Sequence, residues 1–283
     1  MSEGDRLKIW RNTIGLFYQR RTPAFEGPFG TAGYDLRLIE PYLGDEPQHR
    51  ELKGHKPDLV AVNSDRWLCI EITLNDCEKT EQLSAYSQLD PRNLVIYGID
   101  GIIKAPDVVC SRYFEYDEGK FCQIIVNGHL KVTGLEFLTD INLQEALRRS
   151  ENVDIRNMPD IPITIIPELS DSELKISLCG HVMQLFCPEC TPKTAIDIVA
   201  DGLERLVDFI PITARKQLDR KVEKELDYLV ATHLKNYLEK NGDQYQARGE
   251  ISDHFQVRHK VNTILKQWCS EKRMPTLDDF EDD

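Results

Sequence analysis

Residues 56–73 read KPDLVAVNSDRWLCIEIT. Asp58 opens one apolar run, 58–63, and Glu71 stands late in a second, 66–73. Ser64–Asp65 between them reads as a tight hairpin turn. Antiparallel pairing of the two runs brings their outer ends together, so the two carboxylates converge from neighbouring strands. Oxygen donors placed in this way suit a hard divalent cation, Mg2+ or Mn2+, and the backbone carbonyl of Ile72 offers a further, neutral ligand. A cation held there against a phosphate ester would lower the pKa of an attacking water and offset the charge that develops on the phosphate.

The same residues carry a family resemblance. Pro57–Asp58 followed by Glu71–Ile72–Thr73 resembles the PD-(D/E)xK nuclease superfamily, and Gln82-x3-Tyr86 in EKTEQLSAY resembles the Q-x-x-x-Y motif of its RecB-like branch. The resemblance covers roughly residues 5–100. It implies an α/β restriction-endonuclease-like core, with Asp58 and Glu71 as metal ligands and Gln82 and Tyr86 on a helix beside the site. It also implies a lysine two residues after the glutamate, and this chain has Thr73 there. A hydroxyl can hold a water but brings no positive charge. Lys79, Gln82 and Tyr86 are spaced i, i+3, i+7 and share one helical face. Lys79 is therefore expected to stand in for the strand lysine. The plainer reading makes Lys79 a solvated helix residue and Tyr86 a core aromatic. Glu26 and Asp35 are candidates for a further carboxylate, and His49 or His55 for the upstream histidine common in RecB-like proteins.

The surrounding elements would have to position these groups. Leu7, Trp10, Ile14 and Phe17 have helical spacing, so a helix with one buried face is expected over 5–21. Residues 34–39 alternate and predict a strand, 76–89 a helix closed by Asp90–Pro91, and 93–99 (NLVIYGI) a buried strand. Further strands are expected on either side of Asn127–His129, and a short helix over 140–149. Residues 157–169 contain three prolines and read as a linker or an edge segment. The expected domains are a nuclease-like domain over 1–156, a linker and metal-binding segment over 157–192, a helical domain over 193–274 and an acidic tail over 275–283.

In the middle segment, Cys179, His181, Cys187 and Cys190 are spaced C-x-H-x5-C-x2-C. Four sulfur and imidazole donors within twelve residues match a closed tetrahedral Zn2+ site, structural rather than catalytic. The rival is an iron–sulfur cluster held by four cysteines, with Cys269 in place of His181.

Towards the C-terminus, 192–210 and 214–242 read as amphipathic helices, the second stopped by Asn241–Gly242. A short helical piece at 251–255 and a longer basic helix over 256–273 resemble a helix-turn-helix or winged-helix module. Arg258 and Asn262 would then face base edges, and Lys260 and Lys266 phosphates. A scaffold or dimerisation role for these helices stays open.

The chain carries a net charge of −13, which argues against a general nucleic-acid coat. From 211 to 273, however, there are 13 Lys and Arg against 9 Asp and Glu, a local basic excess of the kind a DNA-reading module has. No apolar run approaches the length of a membrane helix, and the first residues lack a signal peptide's apolar core. A cytoplasmic protein is expected, and its eight cysteines should then be thiols or metal ligands rather than disulfides. Absence of a G-x-x-x-x-G-K-[S/T] loop places any ATPase, helicase or guide-complex partner on a separate chain. The combined expectation is a DNA endonuclease or nuclease subunit of phage defence, restriction, mobile elements or recombination, with DNA as partner and a homodimer as an option. The alternatives are a catalytically inactive nuclease-fold adaptor and a zinc-containing DNA-binding regulator.

Overall fold

The computed structural model describes residues 5–43, 56–74, 80–114, 120–187, 191–248 and 254–270. The chain divides into two compact units, one of 1–167 with 203–216 and the other of 168–202 with 217–283.

The first unit is built on a mixed six-stranded sheet, β1 (Asp35–Ile39), β2 (Leu59–Val62), β3 (Trp67–Thr73), β4 (Asp107–Arg112), β5 (Cys122–Asn127) and β6 (His129–Thr133), in that spatial order. The β3–β4 and β4–β5 pairs are parallel and the other three antiparallel. Strands β2, β3 and β4 are buried along their whole length. This is why their sequences are nearly continuous apolar runs: both faces of the central strands are covered.

Helix α1 (Asp5–Gly15) covers one face. Its Ile9, Trp10 and Ile14 are fully buried. Thr13 Oγ1 donates to Ile9 O at 2.8 Å and lies 2.6 Å from Ser111 Oγ on β4. Because the threonine proton is already used, Ser111 is the donor in the second bond. The opposite face carries helix α2 (Thr80–Tyr86) and the 3-10 turns of Pro91–Tyr97. Leu83, Tyr86, Leu89 and Leu94 pack there against Val60, Trp67, Cys69 and Cys110. Helix α3 (Ile141–Ser150) starts at Asp140, whose carboxylate accepts from the N–H of Asn142 and Leu143.

Two expectations are corrected here. Residues 93–99 are not a strand. Asp90 caps a 3-10 helix with Pro91 at its start, and Gly98 closes it at φ 73°. Leu94 is buried while Val95 and Ile96 are 53 % and 73 % exposed, so the apolar run does not mark a sheet position. Residues 157–167 are not a linker either. Ile163, Ile165 and Ile166 are buried, and Arg11 Nε donates to Ile163 O at 2.7 Å. Proline content signalled a connector, but three of its four isoleucines are core.

The second unit contains α4 (Asp171–Gln184), β7 (Lys193–Thr194), α5 (Ala195–Leu203), α6 (Ile212–Ala231), β8 (Leu238–Asn241), β9 (Gln244–Ala247) and α7 (His254–Ser270). Its three strands pair in the order β8-β9-β7. The long helix expected over 214–242 stops at Ala231. Asn241–Gly242 does not end a helix. It belongs to the tight turn of a hairpin, with Asn241 paired to Gln244 and Gly242 at φ 65°, the backbone such turns require. The expected break between 255 and 256 is also missing, because one helix runs through both.

Thr13→Val tests the packing of α1 on the sheet. The shape is kept, but the Ser111 hydroxyl loses its acceptor inside the core. We expect a loss of about 1–3 kcal/mol, read as a lower urea midpoint with an unchanged slope.

Candidate active site

Asp58 precedes β2 and Glu71 lies near the end of β3. The register pairs Leu59 with Ile70, so Asp58 stands opposite Glu71. They are 3 % and 1 % exposed. Side chains alternate along a strand, which puts Cys69, Glu71 and Thr73 on the face covered by α2 and Leu68, Ile70 and Ile72 on the face covered by α1.

Backbone geometry fixes Asp58. Its Oδ2 accepts from the Ile72 N–H at 2.5 Å. The N–H and C=O of one strand residue leave on the same side, so the Ile72 carbonyl also faces the Asp58 end of the hairpin. That is the side on which a metal ligand from Ile72 would be needed.

Tyr86 fixes Glu71. The phenol lies 2.9 Å from Glu71 Oε2 and 2.8 Å from the Lys56 carbonyl oxygen, its one proton shared between these two acceptors. Gln82 Nε2 donates to the same hydroxyl. Burial, then the negative charge of Glu71, push the Tyr86 phenol well above its ordinary range, so it acts as a donor at any working pH. Cys69, on the same face, is held as a neutral thiol by burial and by Glu71. Gln82 and Tyr86 therefore meet Glu71 as their spacing suggested, whereas Lys79 lies outside the described residues.

The structure adds Glu40, which the sequence reading missed. It follows β1, is 5 % exposed and has a left-handed backbone at φ 50°. Its N–H donates to Asp58 O at 2.9 Å, and carboxylate oxygens of Glu40 and Asp58 come within 4.8 Å of each other. Lys56 Nζ reaches Glu40 Oε2 at 2.6 Å. Extending the β1–β2 register one pair past Ile39–Leu59 would have found Glu40. Asp35 is instead exposed at the far end of β1, paired with Val62, and Glu26 is exposed on a separate short strand. Neither is grouped with Asp58 among the described residues, Asp35 lying at the Val62 end of β1 and Glu26 in a different sheet. His49 and His55 lie outside the described residues.

A cleft of about 660 Å3 lies at the opposite end of the hairpin, lined by Gly33, Asn63, Asp65, Arg66, Asp140 and Asn142. Its buried acid, Asp140, and the neighbouring Asp107 are already employed. Asp140 caps α3 and accepts from Tyr34, and Asp107 accepts from the N–H of Thr139 and Asp140. The Asp58–Glu71 end differs in having side-chain and backbone oxygens gathered at strand ends, a donor set that fits a hard cation.

Among the described residues, Cys179, His181 and Cys187 do not form a group that could hold a metal ion. Cys179 and His181 sit two residues apart on α4, where side chains do not face one another. Cys179 Sγ instead lies 3.1 Å from Cys269 Sγ on α7. His181 is buried, Cys187 follows α4, and Cys190 lies outside the described residues. Helix geometry thus speaks against one Zn2+ bound by Cys179 and His181 together. Cys269, named in the four-cysteine alternative, is the residue that Cys179 meets.

Arg258, Lys260, Asn262 and Lys266 are all exposed on α7, whose Val261, Leu265 and Trp268 are buried. No family model, curated protein or solved structure matches the chain. Among the described residues no helix is long and apolar enough to cross a membrane.

Two predictions follow from these contacts. Tyr86→Phe takes a donor from the buried Glu71 carboxylate and should cost about 1–3 kcal/mol, measured by chemical denaturation. Burial holds the His181 imidazole below its ordinary pKa of 6.5, with Asp201 opposing and Lys193 assisting. The unfolded chain then binds the proton more readily than the folded one. His181 should therefore contribute a stability loss that sets in as pH falls through about 6.5. In His181→Gln the melting temperature should fall less steeply between about pH 7 and 5 than in the wild type.

Proposed function

We propose that the chain is a metal-dependent nuclease, or the nuclease subunit of a larger assembly, that hydrolyses phosphodiester bonds in DNA. The observation that carries this reading is the burial of Asp58 and Glu71 opposite each other at the end of one hairpin. Two carboxylates removed from water cost several kcal/mol unless a cation or hydrogen bonds compensate. Asp58, Glu71 and the Ile72 carbonyl would hold Mg2+ or Mn2+, with Glu40 close enough to Asp58 to join them or to orient a bound water. Such a cation supplies Lewis acidity towards the phosphate and acidifies water. Tyr86 and Gln82 hold Glu71 in place. The PD-(D/E)xK resemblance of Asp58, Glu71, Gln82 and Tyr86 supports the same reading.

For DNA docking, the fold of the second unit favours α6 over α7. The order helix, strand, helix, helix, hairpin resembles a winged-helix unit, with α6 as the helix before the wing. Gln217, Arg220 and Lys224 form an exposed stripe on α6. Acids nearby are countered from the hairpin, where Lys240 Nζ bonds Glu223 at 2.8 Å and Asp227 at 2.9 Å. The Cys179–Cys269 pair keeps a soft metal in view as a structural element of this unit.

The alternative is an adaptor that keeps the fold without the chemistry, with Thr73 as its mark. Cleavage separates the two. Wild-type protein with Mn2+ or Mg2+ should cut plasmid or linear DNA, and Glu71→Ala should lose about 100-fold or more of the rate. Metal-independent behaviour, or equal rates in both proteins, would favour the adaptor. Separately, Arg220→Ala/Lys224→Ala should weaken DNA binding across sequences and reduce the salt slope by about 2, measured by fluorescence anisotropy. Arg258→Ala/Lys260→Ala should have the smaller effect.

A further inference from the structure

We infer that Arg112 supplies the positive charge that Thr73 does not, as the positioning residue of the Asp58–Glu71 site. The inference rests on the nuclease reading above and deepens it.

The β3–β4 ladder is parallel, with Glu71 paired to Cys110 and Thr73 to Arg112. Paired residues of parallel strands project to the same face. Two neighbours establish which face this is. Cys110 packs in the cluster that contains Cys69 and Tyr86, and Ser111 bonds Thr13 of α1 on the other side. Arg112 therefore rises beside Thr73 and one step diagonally from Glu71, on the face that carries the carboxylates. It is 1 % exposed, among the largest fully buried side chains of the described residues.

A guanidinium remains charged in any protein environment. Burying one is costly, and the cost falls when carboxylates share the same low-dielectric region. Asp58, Glu71 and Glu40 are buried acids at this end of the sheet, and Lys56 is paired with Glu40. With Arg112 and Lys56 against these three acids the net charge is −1, still attractive to a divalent cation. The guanidinium would hold Glu71 in orientation and offset charge near the reacting phosphate, the two tasks a lysine at position 73 would perform. Lys56 is the weaker candidate, because its ammonium is bound to Glu40 and its side chain is 47 % exposed.

The experiment compares plasmid nicking with Mn2+ by full-length wild type, Glu71→Ala, Arg112→Met and Arg112→Met/Thr73→Lys, with folding checked by circular dichroism. Arg112→Met should lose about 100-fold in single-turnover rate, and the added Thr73→Lys should restore the rate to within about tenfold. Wild-type activity in Arg112→Met overturns the inference and leaves the nuclease standing. A folded double variant that stays inactive also overturns it, since a purely packing role for Arg112 is not rescued by a lysine on the next strand. If Arg112→Met does not fold, the double variant decides by the same criterion. If neither folds, Arg112→Lys decides: cutting within about tenfold of wild type supports the inference and a folded, inactive protein overturns it. Absence of metal-dependent cutting by the wild type is the failure of the nuclease reading, and the inference falls with it.

Discussion

Asp58 and Glu71 leave water at the same end of one hairpin, and much of the first unit is arranged around that burial. A carboxylate in a dry interior needs donors or a counter-charge. Asp58 takes the Ile72 N–H, and Glu71 takes the Tyr86 phenol. Tyr86 in turn needs α2 at a fixed height above the sheet, with Gln82 one turn earlier to complete the phenol's bonds. Within the described part of this helix, Thr80–Tyr86, Leu83 and Tyr86 pack in the same buried cluster as Cys69 and Cys110 and so fix its height above the sheet. Sheet, helix and acid pair thus constrain one another.

Much of this was readable in the chain. Alternation and turn residues marked β1, β2 and β3, and helical spacing set Gln82 and Tyr86 on a common face. What the sequence hid was lateral. Which strand lies beside β3, and in which register, is decided by packing on both faces and leaves no local signal. Arg112 therefore looked like an ordinary residue of an apolar strand. Glu40 was hidden differently. It lies past the end of an alternating run, where a bend in the backbone, not periodicity, turns it inward.

In the second unit the errors share a cause. The helix expected over 214–242 overran residues 232–242, where Leu238 is a buried strand residue of a hairpin whose other strand holds the buried Tyr245. Tyr245 donates to Asp227 at 2.6 Å and so ties that hairpin to α6. The Cys179–Cys269 contact likewise joins thiols 90 residues apart, which spacing within 179–190 does not encode. Local composition predicts elements well where one face is buried, and poorly where the partner comes from far along the chain.

The first unit is not one continuous stretch of chain. Residues 203–216 return to it after the second unit has begun, and Leu206 and Ile210 are buried there. A fragment ending at 167 would lack that returning segment and expose apolar surface that the intact chain covers. Dissecting this protein into halves is thus a question of topology rather than of linker choice. Any excised first unit needs the 203–216 piece supplied, by a circularly permuted or spliced chain, before its properties can be compared with those of the whole.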